Sequence, residues 1–308
     1  MSYRILITGS SGLVGSALRS TLQSRLIDVV GLDTRAAGTE RGDVRHVERV
    51  RNAVAGCDGV IHLAAVSRVI WGERDPDLCR ETNVCGLRNI IESVHCQNNS
   101  PWLIFASSRE VYGQPDALPA REDAPLRPVN VYGRSKVAGE RLIEAAGSDG
   151  MRASIIRLSN VYGSTRDHAD RVVPAFARAA VLGHSLRVDG TDHTFDFTHI
   201  DDTTRGIVAL VDHLASGAEA PPPIHFLTGQ PTTLGQLANL AAEIGAMGSA
   251  IHHSPPRTFD VSRFYGCPDR ARDILGWSPR IALSEGLGRL IDNFRKQIGT
   301  EFMEALAQ

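Results

Sequence analysis

The sequence predicts an α/β fold, in which a doubly wound parallel sheet is followed by a smaller, mostly helical C-terminal domain. The first observation is an alternation of short, β-branched apolar runs with helix-length segments, which is typical of parallel βαβ units. The second is a glycine-rich turn that joins the first apolar run to the first helical segment. In open α/β sheets, such turns lie where ligands bind.

Six runs are predicted to be strands, because each is short, apolar and bounded by turn residues, as expected for a sheet covered on both faces. These runs are residues 3–8, 28–33, 59–65, 102–107, 154–158 and 224–228. Between them, apolar residues recur about every 3.6 residues, which indicates helices. The helical segments are residues 13–26, 76–96, 131–146 and 201–214.

The pattern changes after Thr228, where helices, a Ser-Pro-Pro loop at residues 254–256 and no strong strand alternation follow. We therefore expect two domains. The sheet domain comprises residues 1–165, and its chain returns over residues 193–228. The second domain comprises residues 229–308, with an insertion from residues 166–192.

Composition narrows the class of protein. The 308 residues are 42% hydrophobic and 22% charged, and the formal net charge of -2 favours neither a nucleic-acid nor a membrane partner. Five cysteines without a C-x-x-C pair predict reduced thiols. No run approaches the roughly 18 apolar residues of a membrane span, and the first apolar stretch is too short for a signal peptide. We expect a cytoplasmic protein.

Residues 8–15, Thr-Gly-Ser-Ser-Gly-Leu-Val-Gly, follow the first predicted strand and open the first helix. The glycines permit a tight turn and a close approach of the backbone to a pyrophosphate, which the N–H groups of the helix N-terminus then bind. This context predicts a Rossmann-like dinucleotide site. The expected contacts within the turn are Gly9, Ser11, Gly12, Leu13, Val14 and Gly15.

Asp33 lies at the end of the second predicted strand. A carboxylate there accepts the 2′-hydroxyl of the adenosine ribose and repels a 2′-phosphate, so we expect NAD rather than NADP. Arg35 is close in sequence and weakens this argument. Asp43 is a further candidate, either for the adenine amino group or as an ordinary surface carboxylate.

Tyr132 and Lys136 are four residues apart in a predicted helix, so they share one face. An ammonium near a phenol lowers the pKa of the phenol, and such a tyrosine can exchange a proton with a sugar hydroxyl. Ser107 and Ser108 lie where the fourth predicted strand ends. A cluster of His and Asp at residues 193–202 matches no metal-ligand spacing, so we expect no metal site.

These motifs together resemble the extended short-chain dehydrogenase/reductases that act on nucleotide sugars. The resemblance covers nearly the whole chain, and the order of the motifs makes it more specific than any single one. The matching segments are TGSSGLVG, HLAA at residues 62–65, ETNVCGLRN, IFASSREVYG, YGRSK, RLSNVYG, FDFTHIDD and ILGWSP.

The resemblance implies an NAD-dependent enzyme acting on a nucleotide-diphosphate sugar. Tyr132 would deprotonate the sugar 4-hydroxyl as carbon 4 gives a hydride to NAD, Ser108 would hydrogen-bond the same hydroxyl, and Lys136 would bind the nicotinamide ribose. Further cofactor contacts are expected from Val44, Leu63, Ala64, Ala65, Asn83 and Ser107. Substrate contacts are expected from Ser67, Arg109, Asn160, Val172, Arg187, Phe195 and Arg257.

Two positions depart from the family pattern. Epimerases of the family usually have a small or apolar residue in place of Glu110, a carboxylate suited to removing the proton from carbon 5 in an elimination. Arg109 can bind a substrate carboxylate or pair with Glu110, but it cannot act as an acid. Phe195 replaces an arginine that contacts the nucleotide in many relatives. Phe195 could stack on a base, and Arg187 and Arg257 are the candidates to replace that arginine.

The leading hypothesis is an NAD-dependent nucleotide-sugar 4-epimerase, which oxidises carbon 4 and reduces the keto sugar again on its other face. The alternatives are a nucleotide-sugar 4,6-dehydratase or decarboxylase that uses Glu110, and a 4-ketosugar reductase. Intact Tyr132 and Lys136 argue against a non-catalytic dinucleotide sensor. The resemblance also implies a homodimer, in which the helices at 76–96 and 131–146 of two subunits pack together.

Overall fold

The structure, a computed structural model, describes residues 3–256 and 261–306. Its strands are β1 (Arg4–Thr8), β2 (Asp28–Leu32), β3 (Gly59–His62), β4 (Trp102–Ser108), β5 (Ala153–Leu158), β6 (Asn160–Tyr162), β7 (Leu186–Asp189), β8 (Thr194–Phe195), β9 (Phe197–His199), β10 (Ile224–Phe226), β11 (Thr232–Thr233) and β12 (Ile251–Ser254). Six of them form one parallel sheet in the order β2-β1-β3-β4-β5-β10. These six are the strands that the sequence predicts, and the α/β prediction is confirmed.

Helices connect and cover the strands. They are α1 (Leu13–Ser24), α2 (Val47–Val54), α3 (Val69–Arg74), α4 (Pro76–Arg80), α5 (Gly86–His95), α6 (Val131–Ser148), α7 (Val172–Leu182), α8 (Ile200–Ala215), α9 (Leu234–Gly245), α10 (Asp269–Leu275) and α11 (Leu283–Leu306). Short 3₁₀ turns occur at Gly38–Glu40 and Arg109–Tyr112. A π-helical turn, Glu81–Cys85, joins α4 to α5, so the predicted helix at 76–96 is interrupted rather than uniform.

Apolar residues of the sheet pack on both of its faces. Along β1, Ile5 and Ile7 pack with Leu18 of α1 and Leu210 of α8, whereas Leu6 packs on the other face in a cluster with α2 and α5. The two faces therefore explain why the central strands are apolar without interruption. β2 and β3 lie on opposite sides of β1, so the strand order reverses between β1 and β3. The carboxyl ends of β1 and β3 therefore border a crevice, and ligands bind in such crevices of open α/β sheets.

A separate apolar cluster forms what we call the C-terminal lobe, built mainly from α7, β7, α9 and α11. Two short pairings border it, parallel between β7 and β12 and antiparallel between β8 and β11. The sequence predicts no strong strand after Thr228, and the short strands β11 and β12 correct this expectation. The segment Ile-His-His-Ser has too little apolar alternation to signal a strand. The exact domain boundaries stay a prediction.

No helix in the described part of the chain is long and apolar enough to cross a membrane. Within the same residues, no group of three or more His, Cys, Asp and Glu side chains is arranged to hold a metal ion.

Candidate active site

A cavity of about 810 Å³ opens at the carboxyl end of the sheet and extends to the C-terminal lobe. Its size lies within the range of roughly 300–1,000 Å³ that small-molecule sites occupy. The glycine turn, the residues that follow β2, β3 and β4, and the first turns of α6 and α7 line it. The predicted cofactor end and the predicted catalytic residues therefore share one cavity.

The glycine turn depends on the absence of side chains at two positions. Gly9 has φ +72°, and a Cβ there would lie 2.8 Å from the backbone nitrogen of Ala64. A Cβ on Gly15 would lie 2.2 Å from the carbonyl oxygen of Gly9. Gly12 caps α1 without a side chain, which leaves the first N–H groups of the helix for a bound anion. Gly9, Gly12, Leu13, Val14 and Gly15 all line the cavity.

Asp33 is held rigidly where β2 ends. Its Oδ2 accepts the N–H of Ser11 at 3.0 Å, and its Oδ1 accepts the N–H of Arg35 at 2.8 Å. Ser11 itself is exposed and does not line the cavity, so its contribution is to orient Asp33. The carboxylate is 7% exposed and faces the cavity, as a ribose-binding acid requires.

Asp43 also lines the cavity, and Arg45 holds it there. Burial raises the pKa of Asp43, but hydrogen bonds from Arg45 outweigh burial and lower it. A low pKa keeps the group ionised, as an acceptor for an amino group must be. The remaining predicted cofactor contacts in this region, Val44, Leu63, Ala64 and Ala65, line the cavity too.

Tyr132 and Lys136 project from the start of α6, which Asn130 caps by accepting the N–H of Gly133 at 2.7 Å. Burial raises the pKa of Tyr132 to about 12, while its hydrogen bond with Ser108 and the charge of Arg171 oppose this rise. The expectation that Lys136 lowers this pKa needs correction in this structure. The Lys136 Nζ donates to the Ala106 carbonyl at 2.8 Å and lies 5.7 Å from the centre of the Tyr132 ring, and burial outweighs the charges near this phenol.

Glu110 and Arg109 form an ion pair, with Oε1 of Glu110 2.8 Å from Nη2 of Arg109. The other carboxylate oxygen accepts a hydrogen bond from Asn130 at 2.7 Å. The guanidinium of Arg109 lies 4.5 Å from the centre of the Phe195 ring. Phe195 is thus a stacking surface for Arg109, and it also lines the cavity, so its stacking on a nucleotide base stays a prediction.

A buried network ties β4 to α6 next to these residues. The Ser107 hydroxyl donates to Glu140, which also accepts hydrogen bonds from Arg157 at 2.9 and 2.7 Å. Arg157 donates further to the Tyr112 hydroxyl at 2.6 Å. Ser107 lines the cavity, but its hydroxyl is engaged in this network. Sequence reasoning missed Glu140, although its position eight residues after Tyr132 places it on the same helix face.

Comparison with known proteins agrees with this geometry. A model of the NAD dependent epimerase/dehydratase family matches residues 5–224. The chain belongs to this family. It is 30% identical to a UDP-glucose 4-epimerase of Mycolicibacterium smegmatis, over 96% of this chain and 99% of that protein.

Two solved structures are also similar over 96% of this chain and 99% of theirs. One is the UDP-glucose 4-epimerase of Thermotoga maritima with UDP-glucose, at a TM-score of 0.89 and 25% identity. The other is MoeE5 in complex with UDP-glucuronic acid and NAD, at a TM-score of 0.87 and 26% identity. The family and its NAD cofactor, both predicted from the sequence, are therefore confirmed.

Within this epimerase/dehydratase site, Asn83 has a supporting place. It lies in the π-helical turn, where its Oδ1 accepts the Val66 N–H at 2.8 Å and its Nδ2 donates to Ser135 at 2.9 Å. Asn83 does not line the cavity, so the structure does not place it for the predicted cofactor contact. Its two bonds hold the segment after β3 against α6.

The predicted substrate residues of the family site lie mostly on the side of the C-terminal lobe. Ser67, Asn160, Val172 and Arg187 all line the cavity. The side-chain nitrogen of Asn160 is buried without a hydrogen-bond partner, which suits a residue that binds an anionic ligand group. Arg257, the last of the predicted set, lies outside the described residues.

Proposed function

We propose that this protein is an NAD-dependent nucleotide-sugar 4-epimerase, with UDP-glucose and its carbon-4 epimer as the first pair to test. The observation that carries the proposal is the meeting of Ser108, Tyr132 and Lys136 with the glycine turn in one cavity. Similarity to UDP-glucose 4-epimerases over nearly the full length supports the same reaction and the same nucleotide.

In this proposal each residue moves or holds one defined group. Ser108 and Tyr132 bind the sugar 4-hydroxyl, and Tyr132 takes its proton as the bond between carbon 4 and its hydrogen breaks. NAD, when bound, accepts the hydride and later returns it. Lys136 holds the nicotinamide ribose. The same Tyr132 returns the proton once the keto sugar has rotated so that its other face is presented.

The surroundings of Glu110 favour epimerisation over elimination. Both oxygens of its carboxylate are engaged, one by Arg109 and one by Asn130, so the group is held within the fold and is not free to turn towards carbon 5. Arg109 cannot serve as the acid that a dehydratase needs for its leaving hydroxyl. These contacts support the 4-epimerase over the dehydratase and decarboxylase alternatives.

Incubation of the purified protein with UDP-, GDP- and dTDP-hexoses, followed by NMR, tests the proposal. We expect the carbon-4 epimer alone, without net consumption of NAD. A 6-deoxy-4-keto product, release of carbon dioxide from a uronic acid, or stoichiometric consumption of NADH would each point to one of the alternatives.

Tyr132→Phe supplies the matching test of the residue roles. The variant should lose turnover by a factor of about 100 or more, because it lacks the proton-transferring hydroxyl, yet it should retain NAD. Tyr3→Phe, at a half-buried tyrosine that does not line the cavity, serves as the control. Full activity in Tyr132→Phe would show that the proton is transferred elsewhere.

We further propose a cytoplasmic homodimer in which α5 and α6 of two subunits pack together. The resemblance of the sequence to the family supports this proposal. Light scattering of the purified protein measures the mass, and a monomer at all concentrations would exclude the dimer.

A further inference from the structure

The arginines that line the cavity are already matched by carboxylates. Among the described residues, six arginines line it, and each forms an ion pair with a carboxylate that also lines it. The pairs are Arg35–Asp33, Arg45–Asp43, Arg68–Asp170, Arg109–Glu110, Arg171–Asp167 and Arg187–Asp189. Each of these arginines therefore already has a carboxylate beside it before a ligand binds.

Asp167 differs from the other five carboxylates in this set. Its side chain is 2% exposed, its Oδ1 accepts the N–H of His168 at 2.8 Å, and Nε of Arg171 lies 3.7 Å away. Its Oδ2 is buried and has no hydrogen-bond partner, a state that no other cavity-lining carboxylate of the described residues shares. A buried, unpartnered acceptor costs stability unless a ligand supplies the missing donor.

Asp167 lies at the end of the cavity where the reacting sugar belongs. It is part of the segment 164–171, which links β6 to α7 and reaches across to α3 through a contact of His168 with Trp71 at 4.9 Å between ring centres. Arg171, its ion-pair partner, is close enough to Tyr132 to lower the pKa of that phenol. Asp167 thus faces the same space as the catalytic tyrosine.

We propose that Asp167 is a specificity-determining residue, whose Oδ2 accepts a hydrogen bond from the hydroxyl on carbon 6 of the sugar and whose charge excludes sugars with a carboxylate on that carbon. The inference rests on the proposed function, because it takes a nucleotide hexose as the substrate. A neutral hexose offers the donor that Oδ2 lacks. A hexuronate lacks that hydroxyl and brings a second negative charge next to Asp167, whose carboxylate is already paired with Arg171.

The missing donor and the repulsion between like charges both weaken the binding of a hexuronate. A site built to hydrogen-bond a hydroxyl discriminates strongly against an analogue without a donor, because its own buried group then stays unpaired. Like charges brought close together inside a protein also repel more strongly than in water. We expect the neutral sugar to bind about tenfold or more tightly than the uronate, the scale of one hydrogen bond to a charged group.

The test compares UDP-glucose with UDP-glucuronic acid by titration calorimetry on the NAD-loaded protein. In Asp167→Asn, binding of UDP-glucose should weaken about tenfold while the uronate binds no worse, so the ratio falls towards one. Asp167→Glu keeps the charge and should keep the rejection of the uronate. Asp192→Asn removes an exposed carboxylate outside the cavity lining and should leave the ratio unchanged.

Thermal melting separates a binding role from a structural one. Since Oδ2 has no partner within the fold, Asp167→Asn should melt at the wild-type temperature or higher. The proposal is wrong if the wild type binds the uronate as tightly as UDP-glucose, or if Asp167→Asn leaves the ratio unaltered. A preference for UDP-glucose that depends on Asp167, without any 4-epimerisation, would overturn the proposed function and support this inference.

Discussion

At the scale of single residues, the burial of a cation beside the reacting tyrosine stands out. Lys136 is 3% exposed, and burial lowers its pKa to about 8, although the nearby Cys79 and Glu140 oppose this shift. A hydrogen bond to the Ala106 carbonyl fixes the ammonium below the cavity. The ammonium of Lys136 therefore loses its proton at a lower pH than that of an exposed lysine does.

Replacing that charge should stabilise the fold. Lys136→Met keeps the length of the side chain and removes the buried ammonium, so the free energy of unfolding at pH 7 should rise by about 3 kcal/mol. Between pH 8 and 10.5 the unfolded wild type binds more protons than the folded one, so wild-type stability climbs with pH in that window. Urea unfolding should show that the advantage of the variant shrinks by pH 10, and a difference independent of pH would contradict the prediction.

At the scale of elements, α6 carries three polar side chains of the site and its support on one face. Tyr132, Lys136 and Glu140 follow at intervals of four residues, and Glu140 is bonded to both β4 and Arg157. The helix therefore cannot shift along the sheet without breaking a buried ion pair. Ser108 on β4 and Tyr132 on α6 keep their relative positions because of this connection.

Glu140→Gln tests how much the ion pair between Glu140 and Arg157 contributes to the free energy of unfolding. It leaves the Arg157 guanidinium buried with its charge uncompensated, which should cost about 3–5 kcal/mol of unfolding free energy. Glu144→Gln, an exposed position on the same helix, is the matched control and should change stability little. Equal stability of the two variants in urea unfolding would show that the ion pair is dispensable.

Elements with a strong local signal could be predicted, and those defined by distant partners could not. The six central strands are continuous apolar runs, and the spacing of Tyr132 and Lys136 requires only a helix. Whether Arg109 pairs with Glu110 or with a ligand depends on the 3₁₀ turn after β4 and on Phe195, which arrives from far along the chain. The π-helical turn was not predicted either, because a single wide turn of five residues is too short to give a periodicity of its own.

At the scale of the whole molecule, the cavity lies between two hydrophobic clusters, one around the sheet and one in the C-terminal lobe. A ligand that contacts both clusters favours the folded chain over the unfolded one. The sequence predicted both regions, but not how their side chains would share the cavity, since this depends on packing between segments that are distant in sequence.

NAD should therefore raise the melting temperature more than NADP does. At a free concentration of 100 times its Kd, a ligand adds about 2.7 kcal/mol to the stability of the form that binds it. Asp33→Ser removes the carboxylate that repels a 2′-phosphate and should narrow the gap between the two cofactors. Asp28→Ser, at the exposed start of β2, should leave the difference between the melting-temperature shifts with NAD and NADP unchanged. Equal shifts in the wild type would refute the role of Asp33.

The burial of Lys136 has one practical consequence for chemistry on this protein. The chain contains only two lysines, and the other, Lys296, is exposed on α11. Of the two lysine side chains, an amine-directed reagent at mildly alkaline pH thus meets one that is freely accessible and one that lines the cavity. Labelling of Lys136 relative to Lys296 would give an internal, ratiometric measure of how fully bound ligands close the cavity.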